Sequence, residues 1–473
     1  MSNSKKYKTL FKDTLIFGIG SLGSKLITFL LVPLYTNILT KAEYGIADLI
    51  SVISNIIVPL AGLVIQDAVL RFGLSKVYDK GDIIKNAFIL FLPGCLLCAV
   101  SMPLIWLYKP ATEWVFYIFA LSVSTMLYNI VFNYAKAKGM NLLYALGSIL
   151  STLVLAVGNI LFLVVFKSGV AGYLISNVLG VLLPALVLLV CTRSIGDAIK
   201  AKFDKTLLLS MVKYSLPLIA NNLSWWILSS SDKVMIESYL SADDLGLYTA
   251  ASKIPALLTV VTTIFSSAWT ISSIKEYDGE KDKSFYSNVF KYFSLLMFFG
   301  SLVIILVLKP FVSVYVGKDF FGSWVFVPFL VIGTVFFSFG SFYGAIFGAL
   351  KKNISCTITT IIAGLINIII NLLLIPNIGV VAAALSTAIS YLVIGVARML
   401  YSRRFFKFHI DFFRFGINSL IVILCSTFAY FDFISIYIVA GSGLLLFVLI
   451  NARDFFGLYH FVGTLFKRRS EKE

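Results

Sequence analysis

Three ammonium groups stand where this chain is otherwise hydrocarbon: Lys25, Lys233 and Lys253 each interrupt a long apolar run. A charged side chain at mid-bilayer costs about 2.5 to 3.5 kcal/mol on insertion scales, so its presence points to work done there. Lys25 follows Lys12 by about 20 Å of helix, which puts it near half depth. Lys253 sits well inside its own run. Pro255, two residues on, removes a backbone donor and predicts a kink. Lipid tolerates a kinked, polar helix only where it faces protein or a wet cavity. Lys25 and Lys253 are therefore the candidate substrate-binding residues, suited to a diphosphate or an acidic sugar; the competing role is a structural ion pair. Asp67 and Arg71, four apart, share a helix face. They can pair locally or re-pair as a gate. Asp232 and Lys233 are neighbours in sequence and point about 100° apart. Each needs a partner on another helix, as a gate or ion-pair residue. Asp48 is expected close to the outer surface, covered by solvent. Trp225, Trp226 and Trp269 could stack on sugars, although aromatic residues are 15% of the chain and most must pack.

Other chemistry is absent from the sequence. His409 and His460 lie far apart, and no nucleophile–His–acid arrangement, GxxxxGK[ST] loop or GxGxxG motif occurs. Cys95 and Cys98 form a lone CxxC inside the apolar stretch Phe88 to Val100; Cys191, Cys356 and Cys425 make the total odd. These are packing residues, with no disulfide framework and no metal site. No cofactor is expected. H+ or Na+ coupling stays open as the energy source.

The elements that must position these residues follow from composition. Of 473 residues, 59% are hydrophobic and only 13% charged, with a mean hydropathy of +0.95. Soluble domains carry about a quarter charged residues, so a water-soluble enzyme is excluded and lipid is the solvent. Fourteen runs are long enough to span at about 20 residues each: Thr14–Ile38, Tyr44–Gln66, Asn86–Leu107, Trp114–Ala135, Leu142–Phe166, Val170–Thr192, Tyr214–Ile236, Leu245–Ser272, Val289–Leu308, Trp324–Gly348, Ile354–Ile375, Val380–Met399, Phe415–Phe431 and Ile434–Ile450. Helices are required, because lipid cannot satisfy an open backbone. Barrel strands would alternate in polarity, and these runs do not. The first run lacks a small-residue cleavage pattern and is expected to stay as a span.

The charge balance sets the orientation. With the N-terminus inside, 31 of the 39 lysines and arginines fall in inner segments, Arg398 among them, and five fall in outer loops. This bias predicts both termini in the cytoplasm. The net charge of +16 is then a topology signal, and nucleic acid is excluded as a partner. The longest polar breaks follow spans six and twelve, which predicts units at 1–200, 201–402 and 403–473. A weak internal repeat agrees. Thr40-Lys41-Ala42-Glu43-Tyr44-Gly45 matches Ser241-Ala242-Asp243-Asp244-Leu245-Gly246. Asn159 before Gly169 matches Asn371 before Gly379, and Lys136 and Lys138 match Lys351 and Lys352. Six spans per unit make the repeat parallel.

Leu31-Val32-Pro33-Leu34-Tyr35-Thr36-Asn37-Ile38-Leu39-Thr40, then Glu43-Tyr44-Gly45 and Arg71-Phe72, resemble the opening of Wzx-type polysaccharide flippases, within the multidrug/oligosaccharidyl-lipid/polysaccharide exporter superfamily. Asp232-Lys233, Gly246-Leu247-Tyr248 and Ala251-Ser252-Lys253 are similar to the family's second-half pattern. Lys233 stands where many relatives carry arginine, and the family's frequent proline near Thr270 is missing. The resemblance implies an all-α polytopic membrane protein with 14 transmembrane helices: two pseudo-symmetric six-helix lobes around a central cavity, plus two C-terminal helices. It implies a flippase in the bacterial cytoplasmic membrane. Such a flippase carries undecaprenyl-diphosphate-linked oligosaccharide from the inner to the outer leaflet by alternating access, alongside a polysaccharide polymerase and glycosyltransferases. Two alternatives stay open: a cation-coupled multidrug exporter of the same superfamily, and a membrane-embedded enzyme of the polysaccharide pathway. The short outer loops leave the latter little room for catalytic groups.

Overall fold

The computed structural model describes residues 23, 25, 27–75, 77–278, 283–350, 352–432 and 434–455. Residues 14–22 of span one and His460 lie outside them. In chain order the helices are α1 (Ile27–Ile38), α2 (Lys41–Ala61), α3 (Ile65–Gly73), α4 (Lys80–Trp106), α5 (Val115–Ala137), α6 (Asn141–Asn159), α7 (Gly169–Cys191), α8 (Ser194–Lys200) and α9 (Lys205–Tyr239). Then come α10 (Ala242–Lys253), α11 (Ala256–Asp278), α12 (Lys283–Leu306), α13 (Leu308–Tyr315), α14 (Val327–Ala349), α15 (Asn353–Ile378), α16 (Val380–Ser402), α17 (Phe412–Phe431) and α18 (Ile436–Ile450). No strand occurs among the described residues. Eleven of these helical stretches are long and apolar enough to cross a membrane. Of the three remaining expected spans, α1 and α18 are shorter apolar helices. The third, α9, runs 35 residues.

Two expected spans are each two helices. Span eight breaks between α10 and α11 at Pro255, as its missing N–H requires; the Ile254 amide turns back to the Ala251 carbonyl at 3.2 Å. Span two breaks after Pro59 and Gly62, where Leu63 and Val64 both take φ of 52° before α3 begins. Left-handed backbone crowds a Cβ, and each such residue costs of order 1–3 kcal/mol. The apolar run continues through this second break to Gln66, so hydropathy alone shows a single span.

Helices α2 and α4–α7 pack on one another as a first bundle, and α11 and α14–α16 as a second. Helix α9 packs against α3 and α4 of the first bundle and against α15 and α16 of the second. Helices α17 and α18 pair and rest on α12. The solvent-facing chemistry is inverted relative to a soluble protein: α4 displays Leu92 (68% exposed) and Leu104 (71%). Contiguous apolar surface of this kind needs a hydrocarbon partner.

The internal repeat is visible in backbone detail. At the start of α2 the Glu43 N–H donates to Thr40 Oγ1 at 3.2 Å, and the Thr40 N–H donates to the Glu43 carboxylate at 2.8 Å. At the start of α10 the Asp244 N–H donates to Ser241 Oγ at 3.1 Å. Such caps satisfy N–H groups that the helix cannot. Gly169 and Gly379, matched in sequence, both have positive φ, at 54° and 65°. Asn159 and Asn371 are both fully buried.

Candidate functional site

Helices α2 and α10 meet through their capped first turns. Gly45, Asp48 and Val52 lie three and seven residues apart and so form one stripe of α2. Gly246, Thr249 and Lys253 form the equivalent stripe of α10. The glycines allow the crossing: a Cβ at Gly45 would stand 2.8 Å from the Gly246 amide nitrogen, and one at Gly246 would land on the Lys41 carbonyl. Four further contacts join the two halves of the chain along this seam. Gly317 N–H donates to Thr36 Oγ1 at 3.0 Å. Tyr315 donates to the Phe29 carbonyl at 2.8 Å, Tyr108 donates to Glu237, and Trp226 Nε1 donates to the Val52 carbonyl at 2.9 Å.

Directly behind the glycines lies a three-membered ion cluster. Asp48 pairs with Lys233 Nζ at 2.6 Å and with Lys253 Nζ at 3.2 Å; Thr249 Oγ1 lies 3.4 Å from the same carboxylate. The expectation that Asp48 is solvated at the surface is corrected, since it is only 6% exposed. Lys253 is therefore not an unpaired cation. Two ammoniums share one carboxylate, so the cluster keeps one positive charge in excess. Removing one partner of such a pair is far more costly than the pair's net contribution, because a charge is left buried. Lys253 is the most accessible member, with 28% of its side chain exposed.

Lys25 lies elsewhere on the same seam. Its Nζ donates to Thr263 Oγ1 on α11 at 2.8 Å. Thr263 follows Lys253 by ten positions, about 15 Å along the axis. The two candidate lysines thus lie at different depths along α10–α11, rather than meeting at one level.

Asp232 and Lys233 diverge as their adjacency requires. Lys233 turns toward α2, and Asp232 turns into the second bundle, where it accepts from Tyr248 and from Thr387 Oγ1 at 3.3 Å. Asp232 has no cation within ion-pair distance among the described residues. It lines a cavity of about 330 Å³ with Trp225, Lys233, Tyr248, Thr387 and Tyr391. The lysines are not the only charges inside: Asp48, Asp232 and Arg398 are all buried. Arg398 belongs to α16, not to a loop. It donates to the Gly340 and Cys356 carbonyls and to Thr359 and Thr360 at 2.9–3.2 Å, tying α14, α15 and α16 together.

Asp67 and Arg71 lie on α3 and form no ion pair with each other among the described residues; Arg71 is exposed. The three tryptophans separate. Trp225 faces the Asp232 cavity. Trp226 is a seam contact. Trp269 is corrected as a sugar platform: it is 3% exposed, stacks on Phe342 at 4.6 Å, and donates to the Phe342 carbonyl at 3.0 Å. Trp226→Phe leaves a smaller aromatic ring in place of the indole and removes one hydrogen bond. It is expected to destabilise the seam by about 1 kcal/mol, read as a small drop in melting temperature with transport retained. What the sequence reading missed, chiefly Asp48, had one usable signal: its place on the Gly45 stripe.

The family described as "Polysaccharide biosynthesis protein" matches residues 10–270. A protein of the Lsg locus of Haemophilus influenzae is 21% identical over 336 residues, covering 69% of this chain and 82% of its own length. Among solved structures, the lipid II flippase MurJ in an inward closed conformation matches with a TM-score of 0.70 at 17% identity, covering 93% of this chain and 100% of its own. An inward-facing multidrug resistance MATE family transporter of the MOP superfamily matches at 0.62 and 15% identity, covering 80% and 97%. At these identities the structures show a shared fold.

Proposed function

The chain belongs to the polysaccharide biosynthesis protein family, and on that premise we propose that it is a flippase for undecaprenyl-diphosphate-linked oligosaccharide in the bacterial cytoplasmic membrane. It is a transporter rather than an enzyme. Fourteen spans with both termini inside place the capped end outward. The lobes are 1–200 and 201–402, with 403–473 contributing the last two helices. The observation that carries the reading is the excess positive charge of Lys233 and Lys253 over Asp48, set on the seam between the two bundles, with Lys25 deeper on the same seam. An anionic lipid-linked diphosphate is the ligand such a seam attracts. Two bundles that meet along a seam suit alternating access around a fixed site.

Asp232 is the group suited to the coupling ion. It is a buried carboxylate held by two hydroxyls and the Lys233 backbone N–H, with no cation at ion-pair distance among the described residues, so a proton or Na+ would neutralise it. The same residue favours the second reading, a cation-coupled multidrug exporter. Proteoliposomes separate the two. Labelled undecaprenyl-diphosphate oligosaccharide is loaded in the inner leaflet, and the sugar's arrival outside is read by an added glycosidase. Flipping is expected, with no gradient-driven movement of a cationic dye. Dye transport without flipping would reverse the assignment. Asp232→Asn is expected to leave lipid binding intact and to remove the response of flipping to an imposed Na+ or proton gradient. A gradient response equal to wild type would release Asp232 from coupling.

A further inference from the structure

We propose that Asp48 is a built-in stand-in for the substrate's diphosphate: it holds the seam shut by occupying Lys233 and Lys253, and an arriving diphosphate opens the seam by taking its place. The proposal rests on the flippase reading and adds how substrate binding is linked to opening.

Three observations converge. Asp48 reaches both lysines from the opposite half of the chain, at 2.6 and 3.2 Å, so the ion cluster itself joins α2 to α9 and α10. It lies one turn behind the Gly45–Gly246 crossing, where the backbones touch, so parting the crossing and parting the carboxylate from the lysines are movements of the same helices. The cluster also holds two positive charges against one negative. A diphosphate between lipid and sugar carries a negative charge on each phosphoryl group, and so matches both ammoniums where Asp48 matches one.

The physics then fixes the order of events. A displaced Asp48 is a buried carboxylate without a cation, which is unstable until water reaches it. Water reaches it only when α2 parts from α10. The diphosphate therefore binds well to the parted state and poorly to the sealed one, and a ligand shifts a conformational equilibrium only through such a difference. An empty carrier stays sealed because its own carboxylate fills the site. The same occupancy lowers the apparent affinity for the ligand, a penalty that removing Asp48 abolishes.

The test uses the full chain in nanodiscs, with spin labels at Glu113→Cys and Lys318→Cys on a background lacking the five native cysteines. Both positions are exposed, on opposite sides of the seam at its capped end. Inorganic pyrophosphate is the probe. In the otherwise unsubstituted protein, pyrophosphate is expected to convert the short label distance to a longer one, while sodium chloride at equal ionic strength does not. Asp48→Asn is expected to show the longer distance without ligand and to bind pyrophosphate roughly tenfold more tightly. Asp48→Glu is expected to restore the sealed distance. Tighter binding separates a competitor from a strut, since a merely structural residue would loosen the site when removed. An Asp48→Asn seam that stays short without ligand, or an unsubstituted seam indifferent to pyrophosphate, overturns the proposal; the second arm stands even if Asp48→Asn does not fold. Failure of oligosaccharide flipping would strike the proposed function alone, because pyrophosphate carries neither lipid nor sugar.

Discussion

Lys253→Ala is expected to abolish flipping while leaving a folded, normally inserted protein. The reason lies in the stoichiometry of the ion cluster. Asp48 keeps Lys233 at 2.6 Å when Lys253 is gone, so no carboxylate is orphaned and the seam still closes. What disappears is the excess charge and the most exposed ammonium of the three. Truncating one member of a buried charged contact with a ligand costs about 2–5 kcal/mol, and the lower figure already corresponds to roughly a thirtyfold change. The measurement is flipping in proteoliposomes at matched protein content, beside a melting curve. Lys253→Arg should retain part of the activity, because the charge persists while the shape changes. Full transport by Lys253→Ala at normal protein level would remove this residue from the mechanism. Lys25→Ala tests the deeper position by the same assay.

Gly246→Val should be nearly as damaging, for a steric reason. Any Cβ there would fall on the Lys41 carbonyl. Both sides of the contact are backbone, so no side chain can swing aside. Overpacking of a tight contact costs about 1–3 kcal/mol, occasionally more. Here the cost falls on the sealed conformation rather than on the whole fold. At least a roughly tenfold loss of flipping is expected, with the spin-label pair shifted to its longer distance. Gly416→Ala is the control: nothing lies within 4 Å of its Cβ position, and replacing a helical glycine by alanine favours the helix by about 1 kcal/mol. Wild-type flipping by Gly246→Val would mean that the α2–α10 crossing is not part of the working cycle.

These two expectations differ in how much of their basis was legible in the sequence. Lys253 stood out by its charge in an apolar run and by the proline that follows. Gly246 was visible only as a repeat partner of Gly45, and its role needed the crossing to be seen. Asp48 was misread because its cationic partners lie 185 and 205 residues away. A carboxylate three residues past the start-of-helix glycine looks like a surface group until a second helix is laid over it. The sugar role suggested for Trp269 failed for a similar reason: a tryptophan in an apolar run reads the same whether it faces a cavity or Phe342. Arg398, one residue from the end of its expected span, counted with the inner segments because periodicity places helix ends only to within a few residues, and four oxygen acceptors from neighbouring helices hold it inside.

The sequence by itself determined that this is a chain of apolar helices for a lipid solvent, with matched cap residues and matched glycines in its two halves, and kinked at Pro255. Those features are local: they depend on hydropathy over about 20 residues, on capping side chains and on a missing N–H, all of which act within one helix. The tertiary structure alone decided which charges neutralise one another, which tryptophans are enclosed, and where the backbones of the two halves touch. Charge pairing depends on separations of a few ångströms between helices distant in sequence. In a low-dielectric interior that separation sets whether a carboxylate is a solvated surface group or the counterion of two lysines.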